Sequence, residues 1–201
     1  MLYSSFTRAR RFFSPFYLLP ILILLLAGCG QNADASQPLT STGGVGATNC
    51  DIQVSWALGY RSLKELKQAR ELDLAVQGTF TALQSTQGQF SSGDLSTEFS
   101  FVPNKVLLDP QQLSKAEITI HQTGGRSNNT LHQVCGDPLF QIGEEAILFL
   151  RQFSPGQYLV IGGPSGRFAV RKGFVQPNND EGVKLPANLT EQQFYTMLQQ
   201  V

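Results

Sequence analysis

Histidine, tryptophan and cysteine are scarce in this chain: its 201 residues include two histidines, one tryptophan and three cysteines. His121 and His132 lie 11 residues apart, without the HExxH pattern or the Cys/His spacing that is typical of zinc sites. We therefore expect His121 on the solvent side of a strand, His132 in a loop, and neither a metal site nor a cofactor.

An excess of positive charge is also lacking. The chain has 15 basic and 15 acidic residues; three of the basic ones precede Cys29, whereas all the acidic ones follow it. The part after Cys29 therefore has 12 basic and 15 acidic residues, a net charge of −3 without a basic block. This balance argues against nucleic acid or anionic lipid as the main partner.

A catalytic motif is lacking as well. Gly163-Pro164-Ser165-Gly166 is similar to the GxSxG elbow of hydrolases, but it lacks the spacing and lies between two predicted strands, which favours a turn. No GK[ST] sequence follows these glycines, so they predict no phosphate loop. Glu144 and Glu145 are adjacent, and adjacent strand residues face opposite ways, so they do not form a catalytic pair. These observations lean against an enzyme.

The one long apolar run, 12–26, is shorter than the roughly 20 residues of a spanning helix, and Pro15 and Pro20 interrupt it. It follows a basic segment and precedes small residues, which is the pattern of a secretory signal. The basic residues are Arg8, Arg10 and Arg11. A permanent transmembrane helix is the weaker alternative.

The run ends in Leu26-Ala27-Gly28-Cys29, which closely resembles the lipobox of bacterial lipoprotein signal peptides. The resemblance implies that Cys29 receives diacylglycerol, that the chain is cut before it, and that its new amino group can also be acylated, for instance with palmitate. Two or more acyl chains hold a protein firmly on a membrane. The alternative is an ordinary secretory signal with a chance cysteine. Because Gly30 follows Cys29, the aspartate that marks inner-membrane retention is absent, and a host with one membrane or two stays open.

These features predict three segments. Residues 1–28 are the signal peptide, 29–49 are the acylated cysteine and a small, polar, flexible tether, and 50–201 are one domain. The predicted location is the extracytoplasmic face of a cell membrane, with the lipid anchor as the membrane contact. Cys50 and Cys135 remain in a compartment where disulfides persist, so we expect a bridge between them, with two free buried thiols as the alternative.

The domain pattern is mainly β. A capping box at Ser62 and Glu65 predicts a short helix over 62–70, and Thr190 with Gln193 predicts a terminal helix against the sheet. From Leu72, alternating apolar residues place Leu72, Leu74, Val76, Phe80 and Ala82 on one face of a strand. Strands are predicted over 72–82, 98–108, 116–122, 146–150, 158–161 and 167–170, with a turn at 172–173 and loops over 84–94 and 124–137.

Short strands with turns between them favour a small barrel or sandwich. The order DLAVQGTFTAL, KVLL, EITIHQTGG, DPLFQIGEEAILFL and YLVIGGPSGRF resembles a group of exported bacterial proteins of unassigned function over roughly residues 62–175. More distantly, it is similar to the netrin-like module of tissue metalloproteinase inhibitors, an OB-type barrel. The resemblance implies an OB-like barrel of about six strands and makes Cys50 and Cys135 the counterpart of that module's bridge. Because a tether precedes Cys50, the inhibitors' action on a metal is not carried over.

By fold-level analogy, we expect a binding or interaction module with an envelope protein as a candidate partner. Its loops at 124–137 and 162–166 are the surfaces expected to bind. Two alternatives are an envelope hydrolase with a site built from scattered residues and a structural part of an envelope assembly.

Overall fold

The computed structural model describes residues 50–56, 59–88, 95–179 and 182–201, all within one compact unit. The predicted signal peptide, the predicted lipidation site Cys29 and the predicted tether that follows it to residue 49 lie outside the described residues. Within them, no helix is both long and apolar enough to cross a bilayer.

The described chain contains two α-helices, one 3₁₀ turn and eight strands. In chain order they are α1 Leu63–Lys67, β1 Leu74–Gly88, β2 Leu95–Leu108, β3 Ile118–Ser127, β4 Thr130–Gln133, β5 Glu145–Ser154, β6 Gln157–Val160, the turn η1 Gly163–Gly166, β7 Arg167–Arg171, β8 Phe174–Pro177 and α2 Glu191–Gln200. The prediction of a mainly β domain with two small helices is confirmed, but the strands number eight rather than about six.

Five of the strands close into a ring. Neighbours follow the order β1, β2, β3, β6, β5, and β5 pairs again with β1. All of these pairs are antiparallel except β3 with β6, which run parallel. β7 and β8 extend the sheet from β5, and β4 forms a hairpin with β3.

The predicted loops at 84–94 and 124–137 are wrong in part. β1 continues to Gly88 and β3 to Ser127, and β4 occupies a further part of the second loop. The extensions are polar, so an apolar period does not reveal them; cross-strand pairing holds them instead. Thr86 pairs with Thr97, whose Oγ1 donates to the backbone oxygen of Gly124 over 2.7 Å.

Two apolar clusters lie on opposite faces of the ring strands. The first fills the ring and includes four packed phenylalanines, in which Phe80 stacks on Phe140 while Phe99 and Phe101 meet Phe80 edge-on. The second lies under the helices, where Phe149 of β5 and Phe168 of β7 pack with Phe194 of α2.

The prediction that five apolar residues share one face of the first strand is wrong for the first and last of them. Leu72 packs against the helix-side cluster instead of the ring interior, and Ala82 is exposed. A register shift between Phe80 and Ala82 changes the alternation at that point.

Both helices begin where their capping residues predict. Ser62 Oγ accepts from the Glu65 amide, and Thr190 with Gln193 forms a complete capping box. α2 lies against the sheet through buried Phe194 and Leu198. Lys67 of α1 donates to the backbone oxygen of Leu198 over 2.9 Å, which ties the two helices together.

A candidate binding cavity

A small cavity lies where the parallel strands β3 and β6 separate. Their pairing runs from Thr119 with Gln157 to His121 with Leu159 and then ends. Beyond this point is a space of about 50 Å³. Its walls are Trp56, His121, Gln122, Thr123, Asp137, Phe140, Leu159, Val160, Gly163 and Arg167. Both loops that were predicted to bind contribute to it, through Asp137 and Gly163.

Arg167, the first residue of β7, is the buried cation of this cavity. Its side chain is 4% exposed. One terminal nitrogen donates to both carboxylate oxygens of Glu144, at 2.9 and 3.2 Å, and the other to Asp137 at 3.3 Å and to the Pro138 backbone oxygen at 2.7 Å. The guanidinium lies 4.0 Å above the Phe140 ring centre. Its Nε has no hydrogen-bond partner among the described residues.

Two carboxylates share this one cation. Burial raises the pKa of Asp137, and the Arg167 charge beside it opposes that rise. Glu144 also accepts from the Gln141 backbone N–H over 3.1 Å, so its position is fixed from two sides. With both carboxylates ionised, the three side chains carry a net charge of −1.

His121 forms the opposite wall, with a side chain that is only 10% exposed. Burial lowers the pKa of His121, and the Glu98 carboxylate, 3.8 Å from Nδ1, opposes this only in part. The ordinary imidazole pKa of about 6.5 and its lowering here both favour the uncharged ring at neutral pH. Nε2 is buried without a hydrogen-bond partner in the described part of the chain. The exposed Phe153 packs edge-on against the ring, 4.8 Å between centres.

Trp56 covers the cavity beside Gly163. A Cβ added at Gly163 would lie 2.4 Å from Cη2 of Trp56, so the ring is seated where only a glycine leaves room. Trp56 is 40% exposed, and it therefore borders both the cavity and solvent.

The segment that carries Trp56 is attached to the β4 side of the barrel. Cys50 is bonded to Cys135, with Cα atoms 4.9 Å apart and a sequence separation of 85. Ile52 adds backbone hydrogen bonds to Gln133 and Cys135. The bridge and these bonds together hold the start of the domain against the hairpin.

The remaining candidate residues lie elsewhere. Glu145 turns away from Glu144 and accepts from Gln77 at 2.8 Å and Asn104 at 3.3 Å. Ser165 is buried in the 3₁₀ turn, and His132 contacts Asp51. Within the described ranges, no three His, Cys, Asp or Glu side chains gather as a metal site would require.

Sequence reasoning missed Trp56 and Arg167. It placed His121 on the face of its strand opposite Ile118 and Ile120, as the structure does, but Phe153 packs against the ring and the side chain is only 10% exposed. Arg167 begins a strand that alternates as RFAVR, and nothing in that pattern shows an arginine turned inward. Trp56 carried one usable signal, because it is the only tryptophan in the chain. No protein-family model, curated protein or solved structure matches the chain.

Proposed function

We propose that this protein is a lipid-anchored extracytoplasmic lipoprotein whose OB-type barrel is a binding module. The ligand site is the cavity between Trp56, His121 and Arg167. The anchor rests on the lipobox at Leu26–Cys29 and on the apolar run before it.

One observation carries the assignment of the site. Three buried side-chain atoms have no hydrogen-bond partner in the described residues, and two of them, His121 Nε2 and Arg167 Nε, belong to residues of one cavity. Leaving a buried polar atom unpaired costs about 1–3 kcal/mol. A fold keeps two such atoms together where an incoming group can satisfy them.

The OB-type part of the proposal rests on topology. OB-type barrels are small five-stranded Greek-key barrels. The ring β1, β2, β3, β6, β5 has that number of strands, and its parallel contact between β3 and β6 supports a Greek-key path. The site lies at the end of that parallel contact.

A binding role is favoured over the hydrolase alternative by the state of the carboxylates. Asp137 and Glu144 do converge, but on the guanidinium of Arg167. A general acid or base needs a carboxyl group that can reach the proton it transfers, and both groups are occupied by this cation.

A photo-crosslinker at position 56 tests the site in the full-length protein in its native membranes. Benzoylphenylalanine in place of Trp56 keeps an aromatic wall and reacts with whatever lies beside the cavity. We expect a discrete adduct, identified by mass spectrometry. The same crosslinker at Gln176, which is exposed on β8, should give none of it.

The Cys29→Ala variant tests the anchor in the same membranes. We expect it to leave the membrane fraction while the domain stays folded. Equal adducts from positions 56 and 176 would remove the support for a site at the cavity. Retention of the Cys29→Ala variant in the membrane would count against the lipid anchor.

A further inference from the structure

We propose that the cavity binds an uncharged hydroxyl group, and that the ligand class is a neutral sugar or polyol. This inference rests on the proposed function, because it names the chemistry of the ligand at the same site.

The two unpartnered nitrogens differ in what they offer. Arg167 Nε carries a hydrogen and can only donate. On His121, Nδ1 lies 3.8 Å from the Glu98 carboxylate, so a hydrogen on Nδ1 faces a negative charge. A neutral ring with its hydrogen there leaves Nε2 as an acceptor. One donor and one acceptor match hydroxyl groups, since a hydroxyl oxygen can accept from Nε and a hydroxyl hydrogen can be donated to Nε2.

Charge excludes the ionic ligands. An anion that approaches Arg167 also approaches Asp137 and Glu144, which already share this cation. A cation in the same space meets the guanidinium, and burial makes its transfer from water costly. An uncharged group avoids both costs.

The size of the cavity limits how much of the ligand enters. A space of about 50 Å³ accommodates a few water-sized groups, so a hydroxyl or hydroxymethyl group fits and a whole sugar ring does not. The rest of the ligand must therefore lie at the mouth.

The mouth presents aromatic surface. Trp56 is 40% exposed beside the cavity, and Phe153, 47% exposed, lies against His121. Aromatic walls with a few placed polar groups are typical of small-molecule sites. Ring faces of this kind accept the apolar C–H face of a sugar while its hydroxyl reaches inside.

Trp56 also supplies the assay, because it is the only indole in the chain. The full-length protein is reconstituted in phosphatidylcholine vesicles, which contain neither carbohydrate nor indole, and Trp56 emission is followed during titration. Glucose, glucuronate and glucosamine serve as matched neutral, anionic and cationic probes, with glycerol as the smallest neutral one. We expect a saturable change with glucose and glycerol, and at least tenfold weaker responses to the two charged sugars.

Two variants test the acceptor. His121→Phe fills the wall without a ring nitrogen, and we expect glucose affinity to fall at least tenfold with an unchanged far-UV circular dichroism spectrum. His132→Phe, at the other histidine, should bind as the unchanged chain does. If the phenylalanine at 121 prevents folding, His121→Val removes the same acceptor with a smaller side chain.

The outcomes separate this inference from the proposed function. Charged sugars that bind as tightly as glucose would overturn the neutral ligand class and leave the cavity as the site. No response to any probe would overturn the inference, because the cavity would then hold water only. The adduct at position 56 decides the proposed function independently of these titrations.

Discussion

Two buried polar clusters lie in this barrel, and they differ in one respect. In the Gln77 cluster (Gln77, Glu145, Glu191 and Tyr195), the amide nitrogen of Gln77 donates to Glu145 and Glu191, each at 2.8 Å, and its oxygen accepts from the Tyr195 hydroxyl. Every polar atom of the Gln77 side chain is therefore used. In the cavity, by contrast, His121 Nε2 and Arg167 Nε are unused among the described residues.

The difference distinguishes two purposes of burying polar groups. The Gln77 cluster joins β1, β5 and α2, and burial together with the hydrogen bond to Glu191 raises the pKa of Tyr195, which stays protonated as a donor. A saturated set of this kind fixes how the helix docks on the ring. In the cavity, two buried nitrogens have no hydrogen-bond partner among the described residues, which agrees with the proposed binding site.

Removing the cavity's cation should have the largest effect. Arg167→Met leaves the buried Asp137 and the partly buried Glu144 without a counter-charge, and we expect a loss of about 3–5 kcal/mol in the free energy of unfolding. Urea denaturation of the full-length chain measures it. Arg171→Met, an exposed arginine on the same strand, is the matched control and should change stability by no more than about 0.5 kcal/mol. Similar losses in both variants would show that the Arg167 ion pairs contribute little.

Removing the disulfide should cause the second-largest loss of stability. Cys50 and Cys135 close a loop with a sequence separation of 85 residues, so replacing both by alanine should cost about 2–4 kcal/mol. Because the bridge holds the Trp56 segment, the emission of Trp56 should shift to longer wavelength as its ring leaves the cavity wall. The Cys29→Ala variant is the control and should leave the unfolding free energy unchanged. Intact-mass analysis after thiol labelling would contradict the bridge if it finds both thiols free.

Breaking the saturated cluster should come third. Gln77→Leu removes one hydrogen-bond partner from the Tyr195 hydroxyl and one from each of two carboxylates, and we expect a loss of about 1–3 kcal/mol in the free energy of unfolding. Sugar binding at the cavity should be unaffected. Gln176→Leu, on an exposed position of β8, controls for the leucine itself. Thermal unfolding with both variants side by side checks this, and equal melting temperatures would mean that the Gln77 cluster contributes no stability.

The smallest effect should follow replacement of His121. At pH 8, His121→Phe should raise the free energy of unfolding slightly, by about 1 kcal/mol, because it removes a buried polar atom that has no partner among the described residues. The pKa of His121 is lower in the fold than its unfolded value of about 6.5, so the unfolded state takes up the proton first as pH falls.

The unmodified chain should therefore lose stability relative to His121→Phe below about pH 6.5, by at most about 1.4 kcal/mol per pH unit. Contributions from Glu98, Asp137 and the Arg167 ion pairs occur in both chains and largely cancel in the difference. Urea denaturation at pH 8 and pH 5.5 measures the change. A difference that is independent of pH would show that His121 titrates as it does in the unfolded chain.

The sequence predicted the parts of the fold that depend on local pattern. Ser62 and Thr190 mark their helices because side-chain capping acts within one turn. The apolar strand 146–150 was found because it is covered on both faces, and it forms the centre of β5. By contrast, the polar end of β1 and the β4 hairpin depend on partners distant in sequence, such as Thr97 for Thr86, and no local period carries that information.

The same contrast between local pattern and distant contacts explains which residues of the cavity were predicted. The sequence indicated the two loops that contribute Asp137 and Gly163, because glycine and polar residues mark loops. It did not show that Arg167 turns inward, because a strand pattern does not reveal that Asp137 and Glu144 lie close enough to pair with its guanidinium. His121 was expected to be exposed for the same reason, since its strand pattern does not show that Phe153 packs against the ring.

The bridge at Cys50 has a mechanical consequence. A force applied along the residues before Cys50 reaches the described domain at its first residue. The disulfide transmits that force to Cys135, beside the β4 hairpin. Residues 51–56 follow Cys50 in the chain, so they carry only the part of the force that the disulfide does not transmit to Cys135. With the proposed anchor in place, a drag force would therefore load the hairpin and leave the Trp56 ring beside Gly163.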